Sequence, residues 1–245
     1  MKESVQLLWW VFSRVIAPIL FVVILVYLWQ YYQDKTPPPE STESRQVKPD
    51  ARILFTLDRL NKEGKEAFNI VDYPTALKKW EQGLNLARQA KNQRYIGTFI
   101  GNLGNVHLKL DNYPKALGYF KQSLAIHKAI GYKRGQGADL TNIGNVHQNL
   151  GDYSKALDYY QQALAIDKAL GDKNGQRAYL GNIGVVYPKM GDYPKALDYS
   201  QQALAIRQAI GDKRGEGAAL TNIGVVYQNL GEYQKAKNAF QDSSH

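Results

Sequence analysis

A unit of 40 residues recurs along the chain from Leu57 onward, and no other feature limits the fold as tightly. The segment GDYSKALDYYQQALAID at residues 151–167 returns as GDYPKALDYSQQALAIR at residues 191–207. Blocks open at Leu57, Gly97, Gly137, Arg177 and Gly217, the last with 29 residues. One such unit cannot bury its own apolar face. Self-similarity at this period therefore implies a stacked array rather than a globular domain.

Each block carries two helical patterns. Leu140, Ile143, Val146 and His147 fall on one face of the first, and Ala156, Tyr160, Ala163 and Leu164 on one face of the second. Between them, Gly151 is suited to ending a helix and Asp152 to capping the next. Pro74, Pro114 and Pro194 then fall in a first turn, where an amide proton has no helical partner. The second helices are expected to close near Gly131, Gly171 and Gly211. Pro188 stands where other blocks have Leu108, Gln148 and Gln228, and should kink the end of its helix. Gly104, Gly144, Gly184 and Gly224 recur inside the first helix, although helical Gly costs about 0.5–1 kcal/mol against Ala. With Ala116, Ala156, Ala196 and Ala236 opposite, they are expected to let helix backbones approach closely.

The order of these residues resembles the tetratricopeptide repeat, whose pattern is W-x2-L-G-x2-Y and then A-x3-F. Here Leu140, Ile143, Gly144 and His147 are followed by Ala156 and Tyr160. Leu220, Ile223, Gly224, Tyr227, Ala236 and Phe240 repeat the series, as do Ile100, Leu103, Gly104, His107, Ala116 and Phe120. The leading Trp is replaced by Leu or Ile, and the period is 40 rather than the family's usual 34. The extra residues are expected to lengthen the second helix and its turn. This long form looks like the arrays of kinesin light chains, of Pins-type polarity adaptors and of bacterial proteins with a CHAT protease-like domain. The resemblance implies an all-α fold, an α-solenoid of stacked helix-turn-helix units over residues 57–245. It also implies a concave groove, lined by the first helices, for a protein or peptide partner.

Residues 1–35 read as a tail and a single transmembrane helix. Val15 to Tyr32 (VIAPILFVVILVYLWQYY) carries no charge. Trp10 and Trp29 are 19 residues apart, about 29 Å of helix, which matches the hydrocarbon core with indoles at both interfaces. Arg14 lies near one end and can snorkel to the headgroups. A cleaved signal peptide is the alternative, but no A-x-A-like site follows the run. Lys2 and Arg14 precede the span; Lys35, Arg45 and Lys48 follow it, with Lys35 beside Asp34. That balance leans toward the amino terminus inside and an extracytoplasmic array. Residues 36–56 form a linker, in which Pro37, Pro38 and Pro39 favour an extended spacer.

No enzymatic motif is present, so neither catalysis nor a cofactor is expected. The chain lacks cysteine, which excludes thiol chemistry and cysteine-ligated metals. GxxxxGK[ST], HExxH and GxSxG are absent. Gly135 and Gly137, like Gly215 and Gly217, begin as a dinucleotide loop would, but Leu140 and Leu220 occupy the third Gly position. His107 and His147 align with Tyr187 and Tyr227, which favours a packing role over a metal site.

The candidate site is polar. Asn102, Asn142, Asn182 and Asn222 form a ladder with one residue per block, and Asn105 and Asn145 add a shorter row. Asn is a poor helix former, so its recurrence on the first helix needs a cause. Its amide offers both donor and acceptor to a bound main chain, or else to a neighbouring helix. Thr141, Thr221, Gln148 and Gln228 lie on the same helices. Residues 51–136 carry 15 Lys or Arg against 6 Asp or Glu, whereas residues 137–245 carry 11 of each. Lys109, Lys115, Lys121, Lys128, Lys133 and Arg134 dominate the excess. An acidic peptide or anionic headgroups would be drawn there, or the face is simply solvated; nucleic acid is not expected. Two alternatives to groove binding remain. The array could self-associate through its last block, where Leu220, Ile223, Val226, Tyr227 and Phe240 should be only partly covered. It could also be the adaptor part of a larger signalling or protease-type protein.

Overall fold

The computed structural model describes residues 25–32 and 50–243. The chain divides into two units, Met1–Lys48 and Pro49–His245. In the first, residues 25–32 are helical, with Tyr27, Trp29 and Tyr32 exposed. The rest of the span expected at residues 15–32 lies outside the described residues. Among the described residues, no helix is long and apolar enough to cross a membrane.

The second unit is an α-solenoid of ten helices paired into five repeats: α1 (Ala51–Asn69) with α2 (Tyr73–Gln89), α3 (Gln93–Lys109) with α4 (Tyr113–Ala129), α5 (Lys133–Asn149) with α6 (Tyr153–Leu170), α7 (Lys173–Lys189) with α8 (Tyr193–Ala209), and α9 (Lys213–Asn229) with α10 (Tyr233–Asp242). Among the described residues there is no strand. Each helix packs on its neighbours in sequence, and first helices of adjacent repeats also touch, as in α3 with α5 and α7 with α9. Helix α1 starts at Ala51, so residues 51–56 of the expected linker are helical. The longer period does not lengthen the second helix alone. Within the repeat both α3 and α4 span 17 residues.

The joints explain this equality. One left-handed residue recurs at every joint: Val71, Lys91 and Asp111, then Gly131, Gly151, Gly171, Gly191, Gly211 and Gly231. At each, two amides fold back on the helix just ended. Gly151 N–H donates to the Gln148 carbonyl at 3.0 Å, and Asp152 N–H to the His147 carbonyl at 2.8 Å. These two bonds are the glycine-type C-terminal cap, and they set every turn alike. The following helix is usually capped by Asp or Asn, as where Asp192 accepts from the Lys195 N–H at 3.2 Å. Asp152 occupies the cap position without that bond; its carboxylate pairs with Lys155 Nζ at 2.7 Å instead. At Pro188 the end of α7 tightens. Met190 N–H reaches only to the Tyr187 carbonyl, three residues back, where Leu110, Leu150 and Leu230 reach four.

The recurrent glycines face rings rather than backbone. A Cβ on Gly64 would collide with Trp80, and one on Gly104, Gly144 or Gly224 would lie 2.6–2.8 Å from Cε1 of Phe120, Tyr160 or Phe240. Trp80, Phe120 and Tyr160 are among the largest fully buried side chains. The fourth repeat departs from the rule: opposite Gly184 stands Ser200, whose Oγ would be 2.6 Å from such a Cβ. In the last repeat Ile223 and Val226 are buried, contrary to expectation, while Leu220, Tyr227 and Phe240 are half-buried.

Candidate functional site

The face formed by the first helices carries the asparagine ladder. All four members are half-buried. Asn102 donates through Nδ2 to Oδ1 of Asn61 on α1, at 2.8 Å, and so ties the first two repeats together. Among the described residues, Asn142, Asn182 and Asn222 make no side-chain hydrogen bond. In the shorter row, Asn145 is engaged internally. The Tyr160 hydroxyl lies 2.7 Å from its Oδ1 and 2.8 Å from Oε1 of Gln148. Asn105, half-buried on α3, has no such phenol, because Phe120 takes the place of Tyr160. Thr141 and Thr221 donate to the carbonyls of Gly137 and Gly217 in their own helices, at 2.8 and 2.9 Å. Gln228 is exposed.

Two clefts open on the seams between first helices. One, of about 300 Å³, is polar and lies between α3 and α5, against Leu108, Lys109, Asp111, Asn145, Gln148 and Asn149. The other, of about 360 Å³, lies between α7 and α9, against Val185, Pro188, Lys189, Tyr193, Asn222, Val225 and Asn229. The change in character has a local cause. Asn105 and Asn145 become Val185 and Val225, which are 38% and 43% exposed on helices otherwise polar on this side. Searching for recurrence missed both valines, since the informative signal is where the Asn row stops.

Joint chemistry between repeats was also missed. One position of the second helix is Ala87, His127, Asp167 and then Arg207, and the first-helix position facing it is Phe99, Asp139, Tyr179 and then Ala219. The first junction is apolar, with Ala87 and Phe99 fully buried. In the second, His127 Nδ1 lies 2.7 Å from Asp139 Oδ2, both side chains 4% exposed. Burial pushes the Asp139 carboxyl above its ordinary value, and the His127 hydrogen bond opposes that. In the third, burial raises Asp167, against the pull of the Tyr179 hydroxyl, and holds Tyr179 itself up at about 12. In the fourth, Arg177 and Arg207 share Asp212, at 3.0 and 3.7 Å. The variability that hid this column is its content, since the three interfaces after the first each have a polar key of their own.

Ser123, His127 and Asp139 suggest a nucleophilic relay by residue type, but the geometry denies it. A relay needs serine and carboxylate on opposite ring nitrogens. Here Ser123 Oγ, at 3.4 Å, and Asp139 Oδ2 both face Nδ1, while Nε2 lies against Gly97. Ser123 donates to the Gly97 carbonyl at 2.8 Å. His107 and His147 stack flat on Tyr119 and Tyr159, with centroids 5.3 and 5.5 Å apart. Among the described residues, no group of three or more His, Asp or Glu is placed to hold a metal ion.

The six basic residues do not form one face. Lys121 and Lys128, seven residues apart, share a flank of α4. Lys115 sits beside His107 and Tyr119, and Lys109 lines the polar seam. Lys133 and Arg134 open α5, where Arg134 lies 3.5 Å from Asp172.

This architecture recurs among solved structures. BtubC (BKLC) from P. vanneervenii superposes with a TM-score of 0.62 at 18% identity, covering 80% of this chain and 91% of that one. A kinesin light chain-type protein of nearly identical TPR-like repeats from Podosopora anserina gives 0.61 at 14%, covering 79% and 93%. A Rap protein complexed with Competence and Sporulation Factor gives 0.67 at 19%, covering 78% of this chain; the chain spans about half of that protein, 53%. At these identities the likeness is one of fold. No curated protein matches the sequence significantly. The family model for the tetratricopeptide repeat matches residues 95–169 and 175–244, more than half of the chain, which therefore belongs to the tetratricopeptide repeat family.

Proposed function

We propose that this protein is a membrane-anchored, non-catalytic scaffold that binds a protein or peptide on its first-helix face. One observation carries the reading. Asn142, Asn182 and Asn222 present half-buried amides along one face, without hydrogen-bond partners among the described residues. An amide matches the alternating donors and acceptors of an extended main chain. The similar Rap protein, solved in complex with Competence and Sporulation Factor, supports a ligand-binding role for such an array.

The test is a crosslinking pull-down from membranes with Asn142→Ala/Asn182→Ala. Each lost hydrogen bond should weaken capture by about 0.5–1.5 kcal/mol, with helicity unchanged. Undiminished capture by the folded double variant removes the amides from the binding role. Anchoring rests on the uncharged run at residues 15–32 and is tested by alkaline, high-salt extraction. Retention at full length is expected; a soluble product shortened near residue 35 identifies a signal peptide instead. Protease access in spheroplasts tests whether the array is extracytoplasmic.

A second reading is favoured by α10. Tyr233 is 72% exposed and shares a shallow cleft with Ala236, Lys237 and Phe240. A second copy docking there would make the array self-associate. Sedimentation across a hundredfold concentration range decides this, and a monomer throughout dismisses it.

A further inference from the structure

The two edges of the array differ in charge. Joints of two or three residues reverse the chain, so successive helices are antiparallel. All joints from a first helix to a second therefore lie on one edge, and all joints from a second helix to the next first helix lie on the other. Windows of seven residues centred on the left-handed residues separate them. On the second-to-first edge, residues 88–94, 128–134, 168–174 and 208–214 hold 10 Lys or Arg against 2 Asp or Glu. On the first-to-second edge, residues 68–74, 108–114, 148–154, 188–194 and 228–234 hold 2 against 5.

Pairing sharpens the contrast. Among the described residues, the ammonium groups of Lys128, Lys133, Lys168 and Lys173 have no ion-pair or hydrogen-bond partner, and all four residues are exposed. The two acids of that edge are already engaged, Asp172 by Arg134 and Asp212 by Arg177 and Arg207. Three cap carboxylates of the other edge are answered locally, Asp152 by Lys155, Asp192 by Lys195 and Glu232 by Lys235. Apolar surface accompanies the free cations. Ile130, Leu170 and Ile210, each just before a joint glycine, are 41%, 46% and 39% exposed. The opposite edge has such residues too, Leu150 among them, but sets an acid beside them.

We propose that the basic edge is a docking surface for anionic phospholipid headgroups, holding the array against a bilayer. Lys and Arg reach the phosphates, and the aliphatic tips enter the interface beneath them. A nucleic acid would match the cations but offers no apolar layer to the tips. Docking by an edge leaves the first-helix face and its asparagines uncovered. This inference rests on the anchored reading above.

The test exploits the absence of cysteine, which allows one label at a time on the full-length chain. Ala169→Cys and Ser154→Cys place an exposed label at opposite ends of α6, about 22 Å apart along the helix. The chain is reconstituted into nanodiscs of phosphatidylcholine, with or without phosphatidylglycerol, that carry a nitroxide quencher on the headgroup. With phosphatidylglycerol, the Ala169→Cys label should be quenched and the Ser154→Cys label not. High salt should abolish the quenching, as should Lys128→Glu/Lys133→Glu/Lys173→Glu, with the melting temperature kept because all three residues are exposed. Equal quenching of both labels, none at Ala169→Cys, or quenching indifferent to phosphatidylglycerol overturns the docking edge. An unquenched edge that binds an oligonucleotide or polyglutamate, with binding lost in the triple variant, belongs to a soluble polyanion instead. Failure of the anchored reading is seen separately, since the chain then elutes apart from phosphatidylcholine discs. In that case, capture by phosphatidylglycerol discs that the triple variant loses still upholds the edge, and no capture overturns both.

Discussion

Gly144 lies flat against the ring of Tyr160, so close that a methyl group there would sit 2.6 Å from Cε1. Nothing can yield, because the ring is fully buried and its hydroxyl is fixed at Asn145 and Gln148. Gly144→Ala should therefore destabilise the array by about 1–3 kcal/mol despite the better helix propensity of Ala. Urea unfolding followed by circular dichroism measures this. Unchanged stability would mean that the third repeat tolerates a shift of α5 against α6.

Ser200 provides the opposite case. Its hydroxyl is buried without a partner among the described residues, a state that costs about 1–3 kcal/mol. Ser200→Ala should then be neutral or stabilising, against the usual cost of shortening a core side chain. A fall in melting temperature would show that the hydroxyl has a bound partner in solution.

Val71 holds a left-handed backbone, φ 65°, at a joint where six later ones use Gly. A β-branched residue there costs about 1–2 kcal/mol, and at 65% exposure the side chain returns little by burial. Val71→Gly should stabilise the first repeat by roughly 1 kcal/mol after its greater chain entropy is offset. Hydrogen exchange of the α1 and α2 amides is the local readout. Faster exchange would contradict the strain.

What recurs was legible and what varies was not. Period, helix pairing, the Gly columns and the prolines at N-termini are copied from block to block, so one chain contains its own alignment. The same habit of reading misassigned the glycines to backbone contacts, because the ring that demands them, Phe120 or Tyr160, lies on the other helix. It also passed over His127, Asp167 and Arg207, which share a position but no chemistry. The asparagines were found as a row. Only packing separates Asn102, bonded to Asn61, from Asn142 and Asn182, which are not.

His107 should make the array sensitive to mild acid. Burial first, and then the Lys115 charge, hold its pKa below the ordinary histidine value. In the unfolded chain it takes a proton near pH ~6.5, in the folded chain only at lower pH. Between those values the unfolded state binds more protons, so stability is complete above about 6.5 and falls as the pH drops through the window. His107→Tyr, the residue found at positions 187 and 227, should flatten that slope. Melting temperatures from pH ~7.5 to ~5.5 provide the check, and parallel curves for both proteins would exclude His107 as the source.

The His127–Asp139 pair yields an asymmetric prediction. Removing either partner breaks a buried polar pair and leaves the other without its contact, which costs about 3–5 kcal/mol. Asp139→Ala should fall at the low end, because it removes the buried carboxylate along with its contact. His127→Ala should fall at the high end near neutral pH, because it strands a carboxylate that burial already disfavours. The sign of the pH response separates the two. A carboxyl whose folded pKa is raised contributes stability that is full below its unfolded pKa and is lost as pH rises through the folded one. His127→Ala should thus recover part of its loss on acidification, whereas Asp139→Ala should not. A third variant asks whether polarity is needed at this interface at all. Ser123→Gly/His127→Ala/Asp139→Phe copies Gly83, Ala87 and Phe99 of the first junction, where a Cβ on Gly83 would meet the Phe99 ring. If the pair serves register rather than stability, the triple variant should melt near wild type while both single variants melt far below it. A triple variant as unstable as His127→Ala would show that the second interface is shaped for its polar pair alone.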